Sequence, residues 1–351
     1  MSPTYDSVFL CSPFDRPSWT AAPEYRDGAI KTPGFTERQA RFLVAVMLHG
    51  GVCVERQYCK FAGIAHGQKA HDSFKRLVDG GHATSTAPGA LHRGRFYHVH
   101  RKTLYRAIGE PDNRNRKPLT FAAAVERLML LDAVLAEPQL TWLGSAHDKL
   151  SYFSDRASEL RFEELPHLSF GQPKVIRHFP DKLPTGVHRD GRPEVFVYLV
   201  TRSSPVDFRA FLDRHVGLWR ALYHWELRVL LPRPFWAEQA AYERAFYEQL
   251  ASPISFSESE ELAWLFGERR RLAESGAASN DARLRAAEQR FRAPRFGWLY
   301  RAWRQGGDAA IWRAVSSTLA DKVDRGDVGL RCERVSGLYM HLDALAGTAS
   351  E

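Results

Sequence analysis

Cysteine is scarce and scattered: Cys11, Cys53, Cys59 and Cys332 are the four in 351 residues, and no two form a CxxC pair. That spacing builds neither a disulfide framework nor a thiolate finger and suits reduced thiols. Long apolar runs are also lacking, and nothing approaches the ~20 residues that a membrane span needs. Residues 1–34 hold five prolines together with Asp6 and Asp15, without the basic-then-apolar order of a leader. A cytoplasmic location is therefore expected. No GxGxxG follows a strand, and GxxxxGK[ST], GxSxG and HExxH do not occur, so nucleotide cradles, nucleophile elbows and zincin helices find no support. Cys53, Cys59, His66 and His71 share one window, but the five, six and four residues between them match no common zinc finger. No metal and no cofactor is expected.

Positive charge is present, and it is concentrated. Residues 36–117 hold 15 Lys and Arg against 6 Asp and Glu, a net of +9, while the whole chain carries +8. The rest of the molecule is close to neutral. Seven of the 14 histidines fall in the same window. A basic field confined to one segment is what neutralising a phosphate backbone requires.

The pattern within that window predicts three helices and a ribbon. Thr36 suits an N-cap with Gln39 completing a capping box, and Ala40, Leu43, Val44 and Met47 recur at helical spacing until Gly50-Gly51 ends the run. A short second helix is expected over 55–61, closed by Gly63. A third is expected over 67–79, with Ala70, Phe74, Leu77 and Val78 inward and Gln68, Lys69, His71, Asp72, Lys75 and Arg76 outward. Gly80-Gly81 stops it. A loop with Pro88, Gly89 and Gly94 then leads into an alternating strand, Phe96, His98 and His100 on one face and Tyr97 and Val99 on the other. His98 and His100 read as surface histidines of that ribbon. Three helices and a two-stranded ribbon are the order of a winged helix-turn-helix, whose third helix enters the major groove.

The remainder reads as attachments. Residues 1–34 form an extended arm, 35–110 the DNA-binding domain, and 111–172 a helical connector opening on a polar, basic stretch. Within it Thr120 caps a helix over 121–136 that is apolar nearly all round, a candidate homodimer interface. Residues 173–252 alternate strand and helix, including the continuous apolar run Val195 to Val200, and form a small α/β domain. Residues 253–351 form a helical C-terminal region, frayed over 346–351. The expected fold class is thus α+β: an N-terminal winged helix-turn-helix, a small α/β domain and a helical C-terminal region.

The α/β stretch raises one enzymatic pattern. A restriction-type nuclease needs two carboxylates for Mg²⁺ and a lysine two residues beyond the second. Asp181 and Glu194 are suitably separated, but the lysine position is Phe196. An enzyme is not expected.

Thr36-Glu37-Arg38-Gln39 opening the first helix, Gln57 in the second, and the run from Phe74 through Lys75, Arg76, Leu77, Val78, Asp79, Gly80 and Gly81 to His82 resemble winged helix-turn-helix regulators. The arrangement is similar to the N-terminal part of the replication-relaxation family of plasmids and mobile elements, in which an α/β segment likewise follows. The likeness covers about a quarter of the chain. It implies sequence-specific binding of double-stranded DNA by a transcriptional regulator of a mobile element. Gln68, Lys69, His71 and Lys75 would meet base edges, and Arg76, Arg93, Arg95, Arg101 and Lys102 would hold phosphates. Two other readings share these residues: a DNA-processing factor in plasmid replication or nicking, and a protein-interaction module.

Overall fold

The computed structural model describes residues 35–86, 95–156, 160, 162–171, 175–188, 193–276 and 281–335. The expected arm over 1–34, Arg93 with its loop and the tail over 346–351 lie outside them. The described chain is mixed α and β with a helical C-terminal region. It divides into two compact units, one of Met1–Thr86 with Arg95–Pro118 and one of Ala87–Gly94 with Leu119–Glu351.

In the first unit α1 (Glu37–His49) begins with the expected capping box: the Gln39 amide donates to Thr36 Oγ1, and the Thr36 amide donates to Gln39 Oε1. Strand β1 (Val52–Cys53) follows, then α2 (Glu55–Ala62), which exits through Gly63 at φ 64°. Helix α3 (Gln68–Asp79) ends at Gly80 and the left-handed Gly81. Strands β2 (Ala83–Thr86) and β3 (Phe96–Val99) and helix α4 (Lys102–Ala107) complete the unit. The core is aromatic, with Phe42, Tyr58, Phe74 and Tyr97 meeting at centroid distances of 4.5 to 6.4 Å.

Two sequence readings change here. The ribbon is a three-stranded antiparallel sheet in the order β1-β3-β2, with Cys53 opposite Tyr97 and Val52 opposite His98. As the middle strand, β3 is buried along its whole length, so His98 is no surface histidine. The stretch read as an open connector also folds back. Asn115, in a 3-10 turn (Arg114–Arg116), is buried, donates its amide to the carbonyls of Met47 and Leu48, and offers its own carbonyl to His98 Nε2 at 2.9 Å. It thereby satisfies carbonyls left open at the end of α1.

The second unit is built on a mixed five-stranded sheet. Helix α5 (Phe121–Ala136), capped by Thr120 as expected, buries Ala124, Val125, Leu128 and Leu131 within the chain. Then come β4 (Thr141–Leu143), α6 (Ala146–Arg156), a separate ribbon of β5 (His167–Phe170) and β6 (Val175–His178), β7 (Thr185–Val187) and β8 (Glu194–Leu199). Helix α7 (Val206–Ala221) leads to β9 (Trp225–Leu231) and α8 (Gln239–Phe246). Helices α9 (Phe256–Ser275), α10 (Ala282–Arg290), α11 (Pro294–Gly306), α12 (Ala309–Val315) and α13 (Thr318–Asp324) precede β10 (Val328–Arg334). The sheet order is β10-β9-β8-β7-β4, parallel from β10 to β8 and antiparallel beyond.

The boundaries drawn from sequence at 172 and 252 cut through this sheet. Its strands come from the expected connector (β4), the α/β stretch and the expected helical tail (β10). Val175 onward pairs in its own ribbon instead. Helix α7 has Pro205 as its N-cap, and after β9 a 3-10 turn (Arg233–Glu238), α8 and a π turn (Tyr247–Ala251) run in succession. The continuous run in β8 is buried on both faces, as its composition predicts for a central strand. Helices α9 to α12 enclose a core of their own around Leu265, Phe266, Leu299 and Ile311.

Candidate nucleic-acid interface

Helix α3 separates its faces sharply. Ala70, Ser73, Phe74 and Leu77 are buried, whereas Gln68, Lys69, His71, Asp72, Lys75, Arg76 and Asp79 are exposed. At 3.6 residues per turn, Gln68, Asp72, Lys75 and Asp79 run down the middle of the outer face, Lys69 and Arg76 flank one side, and His71 lies on the other. Gln39 fixes the buried side, its amide donating to Ser73 Oγ at 2.9 Å.

The polar atoms on the outer face differ in their commitments. Lys69, Lys75 and Arg76 have no carboxylate within ion-pair distance among the described residues, so their charge is available to an outside anion. Gln68 is engaged, donating to Asp72 Oδ1 at 2.7 Å. His71 stands 3.4 Å from Glu55, which also receives the Tyr97 hydroxyl at 2.6 Å and has His66 at 3.3 Å. Burial, and then Glu55, hold the Tyr97 phenol well above its ordinary range, so it stays neutral and donates to the carboxylate; Arg95 is hydrogen-bonded to the same phenol and pulls the other way.

This network brings Arg95 and His71 together through Tyr97 and Glu55. Arg101 lies at the other end of α3, beside His82, whose pKa falls below the ordinary value through burial and then through that guanidinium. Lys102 is exposed and 4.0 Å from Asp112. Arg93 lies outside the described residues. Sequence reasoning missed Glu55, because its role depends on the α2–α3 crossing; it placed Asp72 on the outer face without a role and left out Asp79, although a helical projection puts both at the centre of that face.

The carboxylates of the nuclease pattern are both held by arginine in the second unit. Glu194 is 2% exposed and accepts from Tyr152 at 2.9 Å and Arg156 at 3.1 Å. Asp181 accepts two bonds from Arg214. Phe196, where the lysine would stand, is a core ring stacked on Phe153 and edge-on to Trp219. No group of three or more metal-ligating side chains occurs among the described residues, and no helix among them is long and apolar enough to cross a membrane.

The chain matches no protein-family model, no curated protein sequence and no solved structure.

Proposed function

We propose that this chain binds double-stranded DNA through a winged helix-turn-helix in its first unit, as a transcriptional regulator of the kind encoded with mobile elements. One observation carries the reading: α3 presents Lys69, Lys75 and Arg76, unpaired among the described residues, from a helix whose other side is locked into the core. The charge of the surrounding segment supports it, since a net of +9 over residues 36–117 attracts a polyanion at long range.

In this reading α3 lies in the major groove and β2 and β3 lie along the backbone. Lys69 and Lys75 meet guanine edges, and Gln68 meets adenine once it exchanges Asp72 for the base. His71 joins them by leaving Glu55. Arg76, Arg93, Arg95, Arg101 and Lys102 set the register on phosphates. The reading is of a binding protein and not an enzyme, and two copies would meet on a symmetric site, as helix-turn-helix proteins commonly do.

Selection of bound genomic fragments by the full chain, followed by anisotropy titration of the recovered duplex, tests the proposal. Lys75→Ala and Arg95→Ala should each weaken binding. Unchanged affinity in both variants would overturn the assignment of this face.

A further inference from the structure

The second unit holds a cleft that DNA binding does not use. It opens between α6, the loop before β7 and α7, and Lys149, Phe179, Asp181, Lys182, Thr185 and His215 are among the residues around it. Its open space, mouth and adjoining solvent included, is about 240 Å³. Only a compact ligand fits.

Lys149 is 4% exposed, and its ammonium donates to a single acceptor, the Leu183 carbonyl. A lysine carries three such donors, so two lack an acceptor among the described residues. The nearby carboxylates are occupied: Asp181 takes Arg214, and Asp148 takes the Ser145 amide at 3.0 Å. A buried cation with open donors is unfavourable unless something supplies the missing oxygens. Burial lowers its pKa to about 8, with Asp181 and Asp148 opposing, which leaves it charged at neutral pH.

His215 provides the complementary group. It is 4% exposed, and its Nδ1 faces the Phe211 carbonyl at 2.9 Å, which places the ring proton on Nδ1. Burial keeps the ring neutral down to a pKa of about 4. Nε2 is then an acceptor, and the ring's one hydrogen bond among the described residues is on the Nδ1 side. The loop between these groups is strained: Phe179 at φ 46° and Lys182 at φ 55° are the positive-φ residues other than glycine among the described residues. Such conformations persist where the surroundings over-determine them and cluster at binding sites.

We infer that this cleft binds a compact oxyanion that carries a hydroxyl, with the Lys149 ammonium donating to the charged oxygen and His215 Nε2 accepting from the hydroxyl. Hydrogen phosphate and small hydroxycarboxylates share that chemistry. The inference does not depend on DNA binding.

The test is thermal unfolding of the full chain in inorganic phosphate, glycolate or acetate, against sodium chloride at equal ionic strength. Phosphate or glycolate should raise Tm saturably, and acetate, lacking the hydroxyl, should act at least several-fold more weakly. Phosphate alone would assign the site to phosphate-type ligands and glycolate alone to hydroxycarboxylates. Lys149→Met should abolish the response. If that variant does not fold, reductive methylation of the unaltered chain decides: the active anion should slow modification of Lys149 several-fold relative to Lys69 and Lys75. No saturable shift with either anion, the same shift in Lys149→Met, or no protection of Lys149 would overturn the inference.

Discussion

The side-chain amide of Gln39 donates to the Ser73 hydroxyl at 2.9 Å, and both residues are buried. The carbonyl oxygen of the same side chain accepts from the Thr36 amide. One glutamine thus caps α1 and fixes α3 against it, which sets the angle at which Lys69, Lys75 and Arg76 leave the surface. Ser73→Ala would leave a buried amide donor unsatisfied, a loss of about 1–3 kcal/mol. Urea unfolding should show a lower midpoint at unchanged slope; an unchanged midpoint would remove Gln39 from this role.

Gly51 is required for two reasons. Its φ is +72°, and a β-carbon there would lie 2.4 Å from the Asn115 carbonyl oxygen. Gly63 has a similar φ of +64° but open space around it. Gly63→Ala should therefore lose only the left-handed penalty of about 1–2 kcal/mol. Gly51→Ala should lose clearly more, because Asn115 must also move off α1. Equal losses in thermal unfolding would mean that the Asn115 turn contributes nothing.

His215 makes the second unit sensitive to acid. Its folded pKa of about 4 lies below the ordinary 6.5 because burial disfavours the imidazolium. Between those values the unfolded chain takes up a proton that the folded chain refuses. Stability should thus fall as pH drops from 6.5 to 4 and level off below, by up to ~3 kcal/mol from this group. His215→Gln should lack that part of the slope. Superimposable pH profiles for the variant and the parent chain would contradict the assignment.

Asp72 places a negative charge at the centre of the outer α3 face and holds the Gln68 amide, so under the proposed function it should oppose DNA. Asp72→Asn removes a negative charge beside the phosphates and weakens the hold on Gln68. Affinity for duplex should rise by up to roughly fivefold near physiological salt, in line with single exposed charges being worth up to about 1 kcal/mol. Competitive anisotropy measures this, and weaker binding would show that Asp72 itself contacts the DNA.

What the sequence revealed depended on distance along the chain. Thr36 with Gln39, the faces of α3, the Thr120 cap and the buried run of β8 are set by neighbours within a turn or a strand, and each was legible. Strand β10 was not, because Val328, Leu330 and Cys332 alternate over only seven residues and gain their meaning from parallel pairing with Trp225 to Leu231. Asn115 looked like part of a solvated connector because its partners, Met47 and Leu48, lie more than sixty residues away. Lys149 and His215 were missed for the same reason: neither belongs to a spacing motif, and only the fold brings them to one cleft.

The central claim is that the first unit grips a polyanion through the outer face of α3. The most direct measurement is the affinity of the full chain for duplex DNA as a function of salt concentration, beside a Lys69→Ala, Lys75→Ala, Arg76→Ala triple variant. The account predicts a linear fall of log K with log salt, weaker binding by the triple variant at every salt concentration, and a slope shallower by about 0.9 from the loss of Arg76, the phosphate contact among the three. Salt-independent affinity, or identical slopes for the two proteins, would contradict it.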